Sequence, residues 1–509
     1  MEELQDLVRI IAQKRLKKID ILNNPDMHKD GKSVLSLFYH ALLSGKVKKE
    51  SDAIKLLGYK ENSIGYRSFK SRFKTKLYNS LFFIKLSNSG LSDYDKVAYE
   101  CSRAQHLVRV MDLFWARNSS TRLCEIMLSK AEKYELSEFM VFYLKNLVQK
   151  AANSESKNAF NKYTAMLEFW WQRWLAEENA KLAYHKVQNM YAGTIMRQPN
   201  VGTFALDAAD KIATEIPIND SYILRLHLFR LQGLGNYIVG NYKLSNKAWK
   251  ALENFLMSNP KFCSNARLGE SALQQMLNYL HLKQYNSGIE CSNRCEKYFM
   301  QGSLNRTIFK EYYFLLLMHN KSYMDANIVW ATANKDFNIK EISDFHKSKW
   351  KLFDAYLYLI LGKGYASDYS EGFKISKFQN EINSLSKDKK GMNMPILIVT
   401  ICIHLMECNY SELLKSMQSL KLYKSRYLSK SSSRRIQILV NMLLIMEKCD
   451  YKLERVKKYT SEWYNKLITT PYDHSGSLEG LEVIPAERLW EFAIGYMKIM
   501  MGKGDIRSS

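Results

Sequence analysis

Along most of the chain apolar residues return every three to four positions, and no run shows sustained alternation. That period is the helical one, so the pattern predicts helices throughout and essentially no sheet. Residues 2–22 read as an amphipathic helix with Leu4, Leu7, Ile11 and Leu16 on one side, ended by Asn23-Asn24-Pro25-Asp26. Helices follow over 33–43, 51–58 and 66–86, and Leu86-Ser87-Asn88-Ser89-Gly90 reads as a linker. Beyond it the pattern predicts helices over 93–117, 120–133, 137–151 and 155–192. From Asn219 the elements become regular pairs: 219–239 with 243–257, 262–282 with 286–300, 305–319 with 322–334, 341–362 with 369–385, 394–407 with 411–421, and 431–447 with 452–468. Pro471 through Ile484 reads as a loop, and Pro485 opens a closing helix that ends near Gly502 and would cover the apolar end of the last pair.

Seven tyrosines mark the junctions between these helices: Tyr134, Tyr242, Tyr285, Tyr323, Tyr369, Tyr410 and Tyr451. From Tyr242 onward they recur at steps of about 40 residues, the interval of stacked helical hairpins. Three positions after each stand Ser137, Ser245, Gly288, Ala326, Gly372, Leu413 and Glu454, mostly small. Five positions before, Tyr237, Leu280, Met318, Leu405 and Met446 are apolar. The physical expectation is an aromatic wedge between the two helices of a hairpin, with a small residue one turn later that admits close approach. The fullest copy is Gly240-Asn241-Tyr242-Lys243-Leu244-Ser245, in which Gly240 can take the left-handed conformation that closes a helix.

This glycine, aromatic and small residue at these spacings resemble the inter-helix turn of the tetratricopeptide repeat (TPR), over roughly residues 120 to 470. The resemblance implies stacked helix pairs whose first helices line a concave face that binds peptides or helices. The fold class expected is therefore all-α: a small basic helical N-terminal domain (1–90), irregular hairpins (91–218), an α-solenoid of regular TPR-like hairpins (219–470), then a loop and C-terminal capping helix (471–509).

The 509 residues carry a net charge of +24, which favours anionic partners or reflects a lysine-rich background. Two stretches concentrate it. Residues 32–86 hold twelve Lys and Arg against three acids, and 421–435 hold Lys421, Lys424, Arg426, Lys430, Arg434 and Arg435 with no acid. Tyr423 and Tyr427 interleave the second, an arrangement able to stack bases while cations track phosphates. Ser431-Ser432-Ser433 points instead to an exposed basic loop. In the first stretch Tyr66, Phe69, Phe73, Leu77 and Leu81 form one apolar stripe, flanked by Arg67, Lys70 and Lys74 on one edge and Arg72 and Lys76 on the other. A helix of this kind packs by its stripe and offers cations along its length, as a recognition helix does.

Sites for chemistry are sparse in the sequence. It has no Gly-rich phosphate loop, no His-Glu-x-x-His and no Gly-x-Ser-x-Gly. Cys291 and Cys295 share a helix face but lack nearby ligands to complete a metal set, and Cys402, His404 and Cys408 read the same way. The eight dispersed cysteines suit reduced, buried thiols. Trp170, Trp171 and Trp174 read as packing between helices, and Glu168, Glu177 and Glu178 as solvated carboxylates. The start of the chain lacks secretory-signal character, and the longest apolar run, Met394 to Met406, is too short to span a bilayer.

These features point to a cytoplasmic, non-enzymatic helical-repeat binding protein, a scaffold, adaptor or regulator, without cofactor, metal or membrane. Its partner would be a protein or peptide on the concave face. The alternative is a nucleic-acid-associated regulator with a helix-turn-helix-like N-terminal domain. Its candidate residues are Arg67, Lys70, Arg72, Lys74, Lys76, Arg434 and Arg435, which could equally meet another anionic partner. A third reading is an enzyme whose site leaves no motif.

Overall fold

The computed structural model describes residues 33–505 apart from 62, 85, 87–90, 155, 193–198, 337–342, 363–372, 386–392, 428–432 and 473–480. The helix expected over 2–22, most of the linker at 86–90, Tyr369, Gly372 and Lys430 therefore lie outside the described residues. Every regular element among the described residues is a helix. The chain packs as two compact units, Met1–Trp174 and Leu175–Ser509.

The first unit opens with α1 (Val34–Leu43), α2 (Glu50–Leu57) and α3 (Ile64–Leu81). Phe38, Ala53, Tyr66, Phe69 and Phe73 form their small core. The stripe read on α3 is thus buried at its first three positions, whereas Leu81 is exposed. Then come α4 (Asp93–Leu113), α5 (Arg117–Lys133), α6 (Ser137–Asn153) and the long α7 (Lys157–Ala192), which runs on into the second unit. Cys101, Val108, Cys124, Met140, Tyr143, Leu144 and Trp170 share one core there. The Tyr143 hydroxyl donates to the Cys101 carbonyl at 2.7 Å, which satisfies a polar atom in an apolar setting.

The second unit adds α8 (Pro199–Asn219), a helix that the sequence pattern did not reveal. The six expected pairs follow: α9 (Tyr222–Ile238) with α10 (Tyr242–Ser258), α11 (Asn265–His281) with α12 (Tyr285–Tyr298), α13 (Leu304–His319) with α14 (Tyr323–Asp336), α15 (Asp344–Leu361) with α16 (Ile375–Leu385), α17 (Asn393–Met406) with α18 (Tyr410–Tyr427), and α19 (Arg434–Lys448) with α20 (Leu453–Thr469). The two helices of each pair pack together, and α10 packs on α11, α12 on α13, α14 on α15 and α18 on α19. First helices also meet directly, α11 with α13 and α15 with α17. The arrangement is helical-repeat-like.

One turn recurs at seven junctions among the described residues from α4 onward. Its key residue has positive φ: Trp115 (62°), Glu135 (55°), Gly240 (87°), Lys283 (57°), Lys321 (63°), Cys408 (56°) and Asp450 (53°). The next amide donates back into the preceding helix: Ala116 to Met111, Leu136 to Ala131, Asn241 to Asn236, Gln284 to Tyr279, Ser322 to Leu317, Asn409 to His404 and Tyr451 to Met446. This is the long bond of the Schellman cap, made at these seven by a glycine only at Gly240; Gly45 and Gly58 make the same turn after α1 and α2, with Lys46 donating to Ala41 and Tyr59 to Ile54.

The same register corrects the tyrosine rhythm. Tyr242, Tyr285, Tyr323 and Tyr410 stand two residues past the left-handed position and open the second helix. Tyr134 precedes that position and Tyr451 follows it directly, so they are not equivalent to the others. Five residues past the left-handed position stand Ser120, Met140, Ser245, Gly288, Ala326 and Leu413, all buried; at the last junction Tyr451 adds a second left-handed residue, and the buried residue is Val456, six past Asp450. Glu454, read as a member of this set, is exposed. The position requires burial rather than small size. The tyrosines also reach beyond their own hairpins, although Tyr242 meets Tyr237 of its own first helix edge-on at 5.6 Å. Tyr242 stacks on His281 at 4.2 Å between ring centroids, and Tyr285 meets His319 edge-on at 6.2 Å, so each ring reaches the end of the next first helix.

Beyond α20 the described residues form the expected loop, most of it buried. Tyr472 lies against His281 and His319, with ring centroids at 5.2 and 5.3 Å. Leu481, Val483 and Ile484 are fully buried in the core that runs from Ala272 to Met500. The closing helix α21 (Ala486–Asp505) packs on α20 and also reaches back to α17 and α19. Tyr496 donates from its hydroxyl to the Leu359 carbonyl at 2.6 Å. The segment buries the apolar faces that the first helices turn toward it.

Candidate functional site

The first helices α9, α11 and α13 leave a stripe that this segment does not cover. On α9 it comprises Arg230, Leu234 and Tyr237, on α11 Arg267, Glu270, Gln274 and Leu277, and on α13 Asn305, Ile308 and Tyr312. Steps of three and four keep each set on one face of its helix. With Tyr184, Gln188 and Tyr191 of α7 they enclose a groove of about 700 Å³, floored by Trp249 and Phe299. That volume lies within the range of ligand sites, which pair apolar walls with a few fixed polar groups.

The polar groups are tied to one another. Arg230 and Glu270 form an ion pair, and the Tyr184 hydroxyl donates to Glu270 Oε1 at 3.4 Å. Gln188 Nε2 donates to that hydroxyl at 3.1 Å. Burial, and then the Glu270 charge, push the Tyr184 phenol up, so it stays protonated. Burial opposes the Arg230 charge, but Glu270 outweighs it and the guanidinium is held charged. The guanidinium also lies 5.2 Å from the Tyr184 ring centroid, within reach of a cation–π contact. Arg267 Nη1 donates to the Phe262 carbonyl at 2.8 Å. Glu270 is thus committed to Arg230 and Tyr184. The groove presents planar, preorganised surfaces suited to recognition.

The cationic residues singled out in the sequence fall in two places. On α3, Arg67, Lys70, Arg72 and Lys74 are exposed and Lys76 is half-buried. Lys70 donates to Glu50 on α2 at 2.6 Å, and Lys74 folds over the Tyr78 ring at 5.4 Å. On α19, Arg434 is exposed. Its neighbour Arg435 is not a surface cation. It is 2% exposed, with Nε 2.7 Å from Glu482 Oε1 and Nη2 3.1 Å from Glu482 Oε2. It also pairs with Glu487 and donates from Nη1 to the carbonyls of Leu467 (2.9 Å) and Thr470 (2.8 Å). A buried guanidinium needs this full set of acceptors, which the end of α20 and the segment after it supply.

The remaining candidates are packing groups. Trp170 is core, whereas Trp171 is 39% exposed under Lys145, whose Nζ lies 4.2 Å from the ring centroid. Glu168 is exposed, but Glu177 is buried, contrary to its reading as solvated. Cys291, Cys295 and Cys402 are buried, and burial pushes the thiols of Cys295 and Cys402 up to about 12. Among the described residues no group of three His, Cys, Asp or Glu side chains could hold a metal ion. No helix among them is long and apolar enough to cross a membrane. Sequence reasoning missed Tyr184, Gln188, Arg230, Arg267 and Glu270. Their signal was the polar and aromatic residues at helical spacing on successive first helices.

The fold and the groove place the chain in the class of all-α, helical-repeat-like proteins. Comparison with family models, with curated proteins and with solved structures returned no match.

Proposed function

We propose that this is a non-enzymatic binding protein of the cytoplasm, built as a TPR-like α-solenoid, which holds a segment of a protein partner in the groove of α7, α9, α11 and α13. The observation that supports this reading is the groove itself. It is built from faces of successive first helices, and its charged groups Arg230, Arg267 and Glu270 are already paired, so a partner meets ordered walls. Its rim mixes Leu234, Leu273 and Ile308 with Gln274 and Asn305, which suits an apolar anchor flanked by backbone hydrogen bonds. Quantitative affinity purification from the native cell tests it, with wild type compared against Leu273→Arg combined with Ile308→Glu. These side chains are half-buried at the groove and carry no ion pair. Stoichiometric proteins that the variant fails to retain support the reading, and an unchanged set overturns it.

A second reading rests on the exposed cations of α3. The core of α1–α3 leaves Arg67, Lys70, Arg72 and Lys74 on the face away from Phe69 and Phe73. Contacts of this kind hold a phosphate backbone with little sequence preference. Gel retardation by the full chain at low salt, lost on combined Lys70→Ala, Arg72→Ala and Lys74→Ala, would favour it, and unaltered retardation would remove it.

A further inference from the structure

A second cleft lies on α19 and α20 and shares no lining residue with the groove. Its larger chamber, about 890 Å³, is walled by the turn at Gly240 and by Arg434, Asn441, Trp463 and Lys466. A neighbouring chamber of about 510 Å³ shares Asn441 and Trp463 with it and adds Lys424 and Lys448. No Asp or Glu lines either chamber. Lys421, also in the smaller chamber, is taken up by Glu447 at 2.8 Å. Arg434, Lys448 and Lys466 are exposed and have no carboxylate partner among the described residues. Lys466 Nζ stands 5.4 Å from the Trp463 ring centroid, and Lys424 Nζ donates to Asn441 Oδ1 at 2.5 Å. Arg434 is moreover the first residue of α19, whose first turn holds no acid. A cation at that end opposes the helix dipole, an arrangement that favours an anion beside it.

We infer that this cleft is a binding site for single-stranded nucleic acid. The half-buried indole of Trp463 lies between two sets of cations, Arg434 and Lys466 in one chamber and Lys424 and Lys448 in the other. That order matches a base stacked between successive phosphates. Asn441 offers an amide at the same point, able to meet a base edge. An acidic peptide would use the cations but leave the indole without a planar partner.

The test is fluorescence anisotropy of the full chain with a labelled oligothymidylate of about a dozen nucleotides, across a salt series starting at ~50 mM. Combined Arg434→Ala, Lys448→Ala and Lys466→Ala changes exposed side chains only. It should weaken binding at least about tenfold and lower the salt slope by up to about 2, at ~0.7 per lost single-strand contact. Trp463→Leu should weaken binding by roughly 5- to 150-fold, the range of one lost base stack, and leave the salt slope unchanged. Combined Lys70→Ala, Arg72→Ala, Lys74→Ala and Lys76→Ala on α3 should leave both of these losses in place. The inference is overturned if the wild type does not bind at ~50 mM salt, or if the cleft variants bind as the wild type does. It is also overturned if oligoglutamate of equal charge displaces the oligonucleotide as well as unlabelled oligothymidylate does, which would mark an acidic protein partner.

Discussion

Arg435→Met should be among the most damaging single changes in the second unit. The methionine keeps most of the volume and removes five donors. What remains is Glu482, 3% exposed, with one donor left to it: the Ala486 amide, 2.8 Å from Oε2. The Leu467 and Thr470 carbonyls also lose their partner. Breaking one side of a buried pair costs about 3–5 kcal/mol, because the other charge stays behind. Combined Arg435→Met and Glu482→Leu removes the two fully buried charges, leaves only the more exposed Glu487 unpaired and should recover most of that loss. The pH dependence has a definite sign. Burial already raises the Glu482 carboxyl above its usual value, against the pull of Arg435. Without the guanidinium it rises further, so the variant's deficit relative to wild type is full at neutral pH and shrinks as falling pH protonates Glu482 in the folded state. Urea denaturation, with hydrogen exchange over residues 481–500, reads both effects. A single variant within ~1 kcal/mol of wild type, or a deficit independent of pH, would refute the claim that this pair fixes the C-terminal segment.

Other consequences follow from the same contacts. His227 and His319 are buried, and burial holds them down to about 3 and about 4, so both are neutral in the fold. The unfolded chain takes up their protons below about 6.5, so stability present above that pH is lost as pH falls toward 4. At pH 5 the two should cost about 4 kcal/mol together, measurable as a falling urea midpoint, and a flat midpoint from pH 7 to 5 would exclude it. Ala326 is fully buried, and Ala326→Phe should destabilise by ~1–3 kcal/mol, with hydrogen-exchange protection lost first around α13–α15. Lys283 and Lys321 hold left-handed turns, so replacing either by Gly should raise stability by ~0.5–1 kcal/mol, and a loss of that size would contradict the turn assignment. A Cβ on Gly233 would stand 2.5 Å from the Trp249 ring, so Gly233→Ala should shift tryptophan emission and destabilise by ~1–3 kcal/mol.

Helix placement was legible because it rests on local apolar spacing, and the six regular pairs fall where that spacing puts them. The turn was half legible. Its tyrosine shows in the sequence, but the left-handed residue is lysine at 283 and 321 and cysteine at 408, so among the tyrosine-marked junctions a search for glycine finds Gly240 alone. The register slip at Tyr134 and Tyr451 has the same origin, since a side chain rather than the backbone was used as the marker. Helix α8 escaped because no tyrosine marks its ends. The sorting of cations was not legible. Arg434 and Arg435 are neighbours in the sequence, yet one faces solvent and the other binds Glu482, because successive helix residues point about 100° apart. The groove was hidden for a related reason: its walls come from helices far apart in sequence, and nothing in a single stripe shows which stripes the C-terminal segment leaves uncovered.

The most direct test of the binding role is site-specific photo-crosslinking in the native cell. A photoreactive residue at Ile308, within the groove, is compared with one at Met324, which is 65% exposed on α14 and outside it. The account predicts a discrete crosslinked protein at 308, absent at 324 and lost when Leu273→Arg is added. Equal crosslinking at both positions, or none at 308, would contradict it.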